Sequence, residues 1–365
     1  DLTTSIAEKF KPEKSIESIS NIYTKTSLAA PILASAKHEI ILVVWSSDYQ
    51  FVQNLIKSKI KNFKINAQYL TLIATPHVIN EVDSKYCSSR GKSDCVLHSL
   101  DNNVYSDLNE DNYSDLKTGR VFGISISDVS SYFARDLFYK DISKPITRIL
   151  IEASSFTNLL KEASSLSKML SKQGYDVSSL FGEAAIFEKD SAWERKEAIF
   201  YLDHGYMNWA GISSKSIPFL DNSFVAAYAC LTCAYSLQQG KVFEDHEIYP
   251  SEPLGDLFCA NILRKGGLGF LGAVDVGMRA YTKNVLFDLL NGKSLGELQQ
   301  GRTIDAVTEG SYRKYYTYPF ENYLLIGDPT FKFVSSKAPL PSYTVTQISE
   351  DSFEIAFKNF YYLSD

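Results

Sequence analysis

Two stretches decide the reading of this chain: AIFYLDHG, from Ala198 to Gly205, and FVAAYAC, from Phe224 to Cys230. Each opens as a short continuous apolar run, the pattern of a strand buried on both faces of a parallel sheet. Each ends in a side chain that can do chemistry. Ligands of open α/β sheets bind beyond the carboxyl ends of the strands. A Cys thiolate is a strong nucleophile, and a His beside it can take its proton and later protonate a leaving amine. If the two strands are neighbours ending at one level, His204 and Cys230 meet. Gly205 lets the backbone approach a substrate closely, and the N–H groups of Gly205 and Cys230 are candidate oxyanion donors. Asp203 either orients His204 or points into solvent.

The same alternation runs outward from this pair. Residues 40–45, IILVVW, read as a buried strand, as do Tyr69–Ile73, Ile149–Ile151 and Leu268–Val274. Helical spacing is expected over 27–37, 49–61, 128–140 (capped by Ser127 or Asp128), 157–173 (closed by Gly174), 255–265 and 281–291. Strands alternating with helices predict an α/β fold with a mainly parallel sheet. Residues 77–120 are polar and without clear period, and read as an insertion or binding loop. After Phe333 the segment SSKAPLPS is linker-like. Tyr343–Ile348 and Ser352–Phe357 then alternate as the first hairpin of a separate β domain. The expected organisation is an N-terminal segment 1–37, a catalytic region 38–335 and a linker with the start of a β-sandwich-like domain over 336–365. The catalytic region allows two α/β subdomains with a boundary near 140–150.

Composition narrows the function. The 365 residues are 45% hydrophobic and 22% charged, enough for a large core, and the net charge of -6 argues against a nucleic-acid partner. No apolar run has the length of a membrane span. The chain opens at Asp1 without a leader, so either one was removed or none existed. Of the five cysteines, Cys87 and Cys95 bracket the polar loop SSRGKSD. They are either joined, which requires an oxidising compartment, or free surface thiols. Cys230 and Cys233 have the CxxC spacing of a redox pair, but such a pair normally opens a helix in a thioredoxin-like fold. Cys233 is expected to be a buried thiol or paired with Cys259.

The loop from Asp107 to Asp115 places oxygen donors at alternate positions. Asp107, Asn109, Asp111 and Asp115, with the Tyr113 carbonyl, are a candidate Ca²⁺ set, because this hard cation takes several carboxylate and carbonyl oxygens from one flexible loop. An EF-hand is ruled out: Asn112 stands at the sixth position instead of Gly, and Thr118 at the twelfth instead of Glu. A solvated acidic turn is the alternative. No organic cofactor is expected.

His before Cys is the chain order of the caspase-like cysteine peptidases, clan CD, and within that clan the sequence resembles the gingipain family. LDHGYMNWAG (202–211) resembles its His-Gly block, with Trp209 in place. KGGLGFLGAVDVG (265–277) resembles the block after the nucleophile. NGKSLGEL (291–298) and YLLIGDPTFKF (323–333) resemble the closing Gly-Asp-Pro-Thr segment, and residues 104–123 resemble the block ending in D-L-x-x-G-R. The resemblance covers roughly 38–335 and implies a caspase-like sheet and a Cys230–His204 dyad. It also implies an acidic third partner just after the strand 149–151, for which Glu152 is the nearest candidate. Two departures stand out. The family usually has Gly where this chain has Asp203, and no acid near Asn158–Lys161 matches the one that selects Arg or Lys. The implied activity is that of a secreted or cell-surface cysteine endopeptidase acting on proteins or peptides through an acyl-enzyme. The alternatives are a transpeptidase, or a catalytically silent binding or secretion component.

Overall fold

The computed structural model describes residues 24–44, 46, 48–75, 82–87, 95–100, 105–110, 114–142, 145–153, 157–182, 190–205, 208–209, 212–229, 232–233, 254–273, 282–308, 323–334, 342–349 and 352–358. Its strands, in chain order, are β1 Tyr69–Ile73, β2 Val82–Cys87, β3 Cys95–Leu100, β4 Lys117–Val121, β5 Arg148–Ala153, β6 Asp176–Phe181 and β7 Ala198–Leu202. They continue as β8 Asn208–Trp209, β9 Ile212–Ser213, β10 Phe224–Tyr228, β11 Gly269–Ala273, β12 Tyr323–Ile326, β13 Ser342–Ser349 and β14 Ser352–Lys358.

Eight strands form one sheet in the order β1-β4-β12-β11-β10-β7-β5-β6. All neighbours are parallel except β11 and β12, so the sheet is two parallel blocks of opposite direction. Every residue of β7, β10, β11 and β12 is buried. Their sequences (AIFYL, FVAAY, GFLGA, YLLI) are unbroken apolar runs because helices and loops cover both faces. This is the caspase-like arrangement expected from the sequence.

The helices follow local signals. Helix α1, Ala30–Lys37, ends in the left-handed His38. Asp48 caps α2, Tyr49–Phe63, by accepting the N–H groups of Gln50 and Phe51. Helix α3, Ile126–Leu137, starts earlier than the sequence suggested. Its cap is Ser125, which closes a capping box with Asp128, so Asp128 is the third residue of the helix. Thr157–Lys172 (α4) ends before Gly174, whose φ of 83° suits only glycine. Phe258–Arg264 (α5), Thr282–Leu290 (α6) and Leu295–Thr308 (α7) complete the set outside the short turns.

Three expectations change. Residues 40–44 are extended but form no strand, and Ile40, Ile41 and Val43 are 71%, 47% and 70% exposed. Only Leu42 and Val44 pack inward, on a small core of Val52, Ile56, Leu72, Tyr105 and Leu116 beneath α2. The run is apolar throughout but has one wet face. Trp45 lies outside the described residues. The stretch 77–120 is no plain loop either: β2 and β3 form an antiparallel hairpin, and β4 enters the main sheet. Finally, β6, α7 and β12 add elements that the apolar pattern did not mark.

The return of the chain at β12 is fixed by buried polar contacts. Gly327 donates its N–H to the Arg120 carbonyl at 2.8 Å, and a Cβ at Gly119 would collide with the Gly327 carbonyl oxygen. Asp328, fully buried, accepts the Thr330 N–H at 2.8 Å and donates its own N–H to the Tyr132 hydroxyl at 2.6 Å. The Lys37 ammonium bridges Asp328 and Asp136, the latter at 2.7 Å. Burial raises the Asp136 carboxyl to about 7, the charge of Asp328 adding to the shift and Lys37 opposing it. One cation from α1 thus holds two carboxylates, one on α3 and one in the turn after β12.

Candidate active site

The two strands singled out in the sequence are neighbours. β7 and β10 are parallel, and the register pairs Leu202 with Tyr228. β7 and β10 therefore end in register, and in the sequence His204 comes two residues after Leu202 and Cys230 two after Tyr228. Cys230 itself lies outside the described residues. The nearest described residues before and after it are held by the fold. Ala229 is buried at the end of β10. Beyond it, Cys233 donates its N–H to the Ala273 carbonyl at 2.9 Å, and the Thr232 hydroxyl accepts the Ala273 N–H at 3.1 Å. Cys233 is joined to Cys259 in α5 by a buried disulfide. This is the partner expected for Cys233.

His204 is exposed, at the mouth of the sheet, while its backbone is gripped from below. The buried Asp203 accepts the His204 N–H at 2.6 Å through Oδ1. Tyr201, 1% exposed in β7, donates its hydroxyl to the His204 carbonyl at 2.7 Å. Gly205 is half-buried, and its N–H has no acceptor among the described residues.

Glu152 sits on β5 directly across from Tyr201 and has no exposed surface. Its Oε2 accepts the Trp193 indole N–H at 3.0 Å, and its Oε1 has no partner among the described residues. Burial pushes the Glu152 carboxyl up to about 8; the Trp193 bond opposes the shift and the charge of Asp203 adds to it. At neutral pH Glu152 is therefore a neutral acid beside an acidic neighbour. Trp193 was not readable as part of this group, because its contact with Glu152 spans 41 positions and follows no local period.

Other predicted residues fall elsewhere. In the acidic loop, Asp115 Oδ2 accepts the N–H groups of Leu108 at 2.6 Å and Asn109 at 3.1 Å, and the buried Asp107 offers its carbonyl to Gln53 at 2.5 Å. Asp111 and Tyr113 lie outside the described residues. Among the described residues no group of three or more His, Cys, Asp or Glu is placed to hold a metal. Cys87 and Cys95 are direct partners across the β2–β3 hairpin.

Comparison with known proteins agrees with this geometry. The family model for peptidase family C25 matches residues 45–334. The chain belongs to peptidase family C25. This is the gingipain family that the sequence blocks resemble, and its members are cysteine peptidases. The solved complex of Porphyromonas gingivalis RgpB pro- and mature domains superposes with a TM-score of 0.61 at 14% identity, covering 92% of this chain and 85% of that one. A second solved structure, described as a protease, gives 0.63 at 14% identity, covering 89% of this chain and 80% of the other. No curated protein sequence matches the chain. Among the described residues, no helix of this C25 peptidase is long and apolar enough to cross a membrane.

The environment of Glu152 gives a stability prediction. The folded chain holds this proton up to about pH 8. The unfolded chain releases it near the ordinary glutamate value, so from there to about 8 the unfolded state binds fewer protons. Stability must fall as pH rises through that window, by at most about 1.4 kcal/mol per unit from this group. Glu152→Gln keeps an acceptor for Trp193 and removes the titration. Urea unfolding at pH 5 and pH 8 should show the variant gaining on wild type at the higher pH. An unchanged difference between the two would mean that Glu152 is ionised in the folded protein.

Proposed function

We propose that this C25 peptidase is an endopeptidase acting outside the cytoplasm, with Cys230 as nucleophile and His204 as its base. The observation that supports the reading is the pairing of Leu202 with Tyr228: two adjacent parallel strands end in register, one two residues before His204 and the other two residues before Cys230 in the sequence. His204 takes the proton of the Cys230 thiol. The thiolate attacks the scissile carbonyl, and the N–H groups of Gly205 and Cys230 receive the oxyanion. A single such donor is worth about 10²–10³ in kcat. His204 then gives its proton to the leaving amine, and the acyl group stays on sulfur. Water, deprotonated by His204, releases the acid. The hydrogen bond from the His204 N–H to Asp203 supports Asp203 as the orienting residue.

Cys230→Ala should abolish cleavage of a peptide library, and His204→Ala should lower it by several orders of magnitude. Replacing Cys233 and Cys259 together by Ala should leave cleavage in place. That pair closes a 26-residue separation, so its loss should cost about 3.5 kcal/mol of stability by the loop-entropy relation. Cleavage surviving Cys230→Ala would sink the assignment. Mass spectrometry of the products separates hydrolysis from transfer to an added amine, the transpeptidase outcome.

An extracellular site of action is supported by the facing of Cys87 and Cys95 across one hairpin, a placement that suits a disulfide. Non-reduced peptide mapping should find the two linked; two free thiols would remove the support.

We also propose that Ca²⁺ orders the loop around Asp107, Asn109, Asp111, Tyr113 and Asp115. Asp115 already gathers two amides of this loop, and an ion bound to the folded state stabilises it by mass action. Chelation should lower the Tm, and added Ca²⁺ should restore it. Protein free of calcium with an unmoved Tm would return the loop to a solvated acidic turn.

A further inference from the structure

We infer that Tyr201 is a positioning residue for the oxyanion site, acting through the peptide group that joins His204 to Gly205. The inference rests on the endopeptidase reading above and adds a residue to it. The hydroxyl of Tyr201 donates to the His204 carbonyl oxygen at 2.7 Å. That oxygen and the Gly205 N–H belong to one planar unit. The peptide is trans, as all described peptides are, so its C=O and N–H point in opposite directions. Holding the carbonyl down on the buried phenol therefore aims the Gly205 N–H the other way, away from Tyr201. That N–H has no acceptor among the described residues, and its residue is half-buried beside the exposed His204.

The neighbouring peptide is held as well. Asp203 accepts the His204 N–H at 2.6 Å, so two successive peptide groups of the loop are fixed from within the fold. A glycine at 205 needs this, because its backbone is the freest of any residue and nothing on its own side chain can fix it. The hydrogen bond also polarises the peptide. Donation to a carbonyl strengthens the N–H of the same amide as a donor. An oxyanion donor works only when it is aimed before the charge develops. Tyr201 is placed to supply both aim and polarity without touching substrate. Its neighbour across the sheet, Glu152, is buried and holds its proton.

The test uses Tyr201→Phe, which removes one hydroxyl and keeps the ring. Two rates are measured on the full chain. Alkylation of Cys230 by iodoacetamide is a displacement at carbon that expels iodide and forms no oxyanion, so it reports the thiol and His204 alone. Peptide hydrolysis needs the oxyanion site. The expected result is a fall in kcat of at least about tenfold, set against the 10²–10³ of a whole lost donor, with KM and the alkylation rate within about twofold of wild type. A variant with unchanged kcat overturns the inference. Equal losses in both rates also overturn it, since they mean that the loop has come apart. If Tyr201→Phe does not fold, 3,5-difluorotyrosine placed at 201 keeps the shape and lowers the phenol pKa. Its kcat should then fall at a lower pH than that of wild type, while alkylation stays level; no shift in that limb overturns the inference. Wild-type Cys230 that reacts with iodoacetamide no faster than an ordinary thiol marks failure of the endopeptidase reading itself, a different result from any of these.

Discussion

Leu202 faces Tyr228 across two parallel strands, and everything at the candidate active site depends on that register. A slip of one residue along β7 would turn each of its side chains to the opposite face. It would bury His204 and lift Asp203 to the rim. The register is secured because both strands are apolar on both faces and each has a parallel neighbour on its far side, β5 beyond β7 and β11 beyond β10. Phe200 and Phe224 are both fully buried, with ring centroids 6.2 Å apart, and fill the space between these strands. Burying aromatic side chains of this size is worth roughly 2–3 kcal/mol each, far more than any polar contact in the loop above them. The core sets the level at which β7 and β10 end.

Buried charge is handled in two different ways at the two places where the fold needs polar groups. Around Asp328 the solution is pairing. Burial alone would lower the pKa of the Lys37 ammonium, but Asp328 and Asp136 outweigh that effect and hold it above its ordinary value. One cation thus answers two carboxyls. At Glu152 the solution is neutralisation: burial outweighs the Trp193 hydrogen bond, and the carboxyl keeps its proton. A neutral carboxyl accepts the Trp193 N–H without placing a second negative charge beside Asp203. Structural pairing ties α1 to the turn after β12, whereas neutralisation lets a buried carboxyl stand between β5 and Trp193 without a cation.

The central strands were legible in the sequence because their signals are local. Continuous apolar runs and the residue just past each run can be read without any tertiary knowledge. β4 was missed because KTGRV looks like a polar loop; Arg120 is nevertheless buried and reaches the Ala74 carbonyl at 3.3 Å. β6 was missed because it is an edge strand, DVSSLF, with only Leu180 buried. The error ran the other way at 40–44, where an apolar run faces solvent on one side. The long-range polar contacts could not be read. Trp193 reaches Glu152 across 41 positions, and Lys37 reaches Asp328 across 291; no period or motif announces contacts of that kind. The gripping of His204 by Tyr201 is local, three residues apart, and the hydroxyl in an otherwise apolar run was the one signal that could have marked it.

The CLTC segment shows how the same spacing serves a different end once the partners are known. A redox CxxC keeps its second sulfur for the first. Here Cys233 is bonded to Cys259 in α5, so the motif is not a dithiol pair closed on itself. Its position is nevertheless close to the chemistry. Together with the Thr232–Ala273 and Cys233–Ala273 hydrogen bonds, the disulfide fixes the chain three residues beyond Cys230, as the end of β10 fixes it two residues before. A nucleophile gains from such bracketing. Its backbone N–H is also a proposed oxyanion donor, and a donor on a loose turn would have to be ordered at the moment of reaction. On the His204 side the same ordering comes from Tyr201 and Asp203. The two halves of the site are thus built alike, each a strand end whose continuation is tied back to the fold by contacts that never reach the substrate.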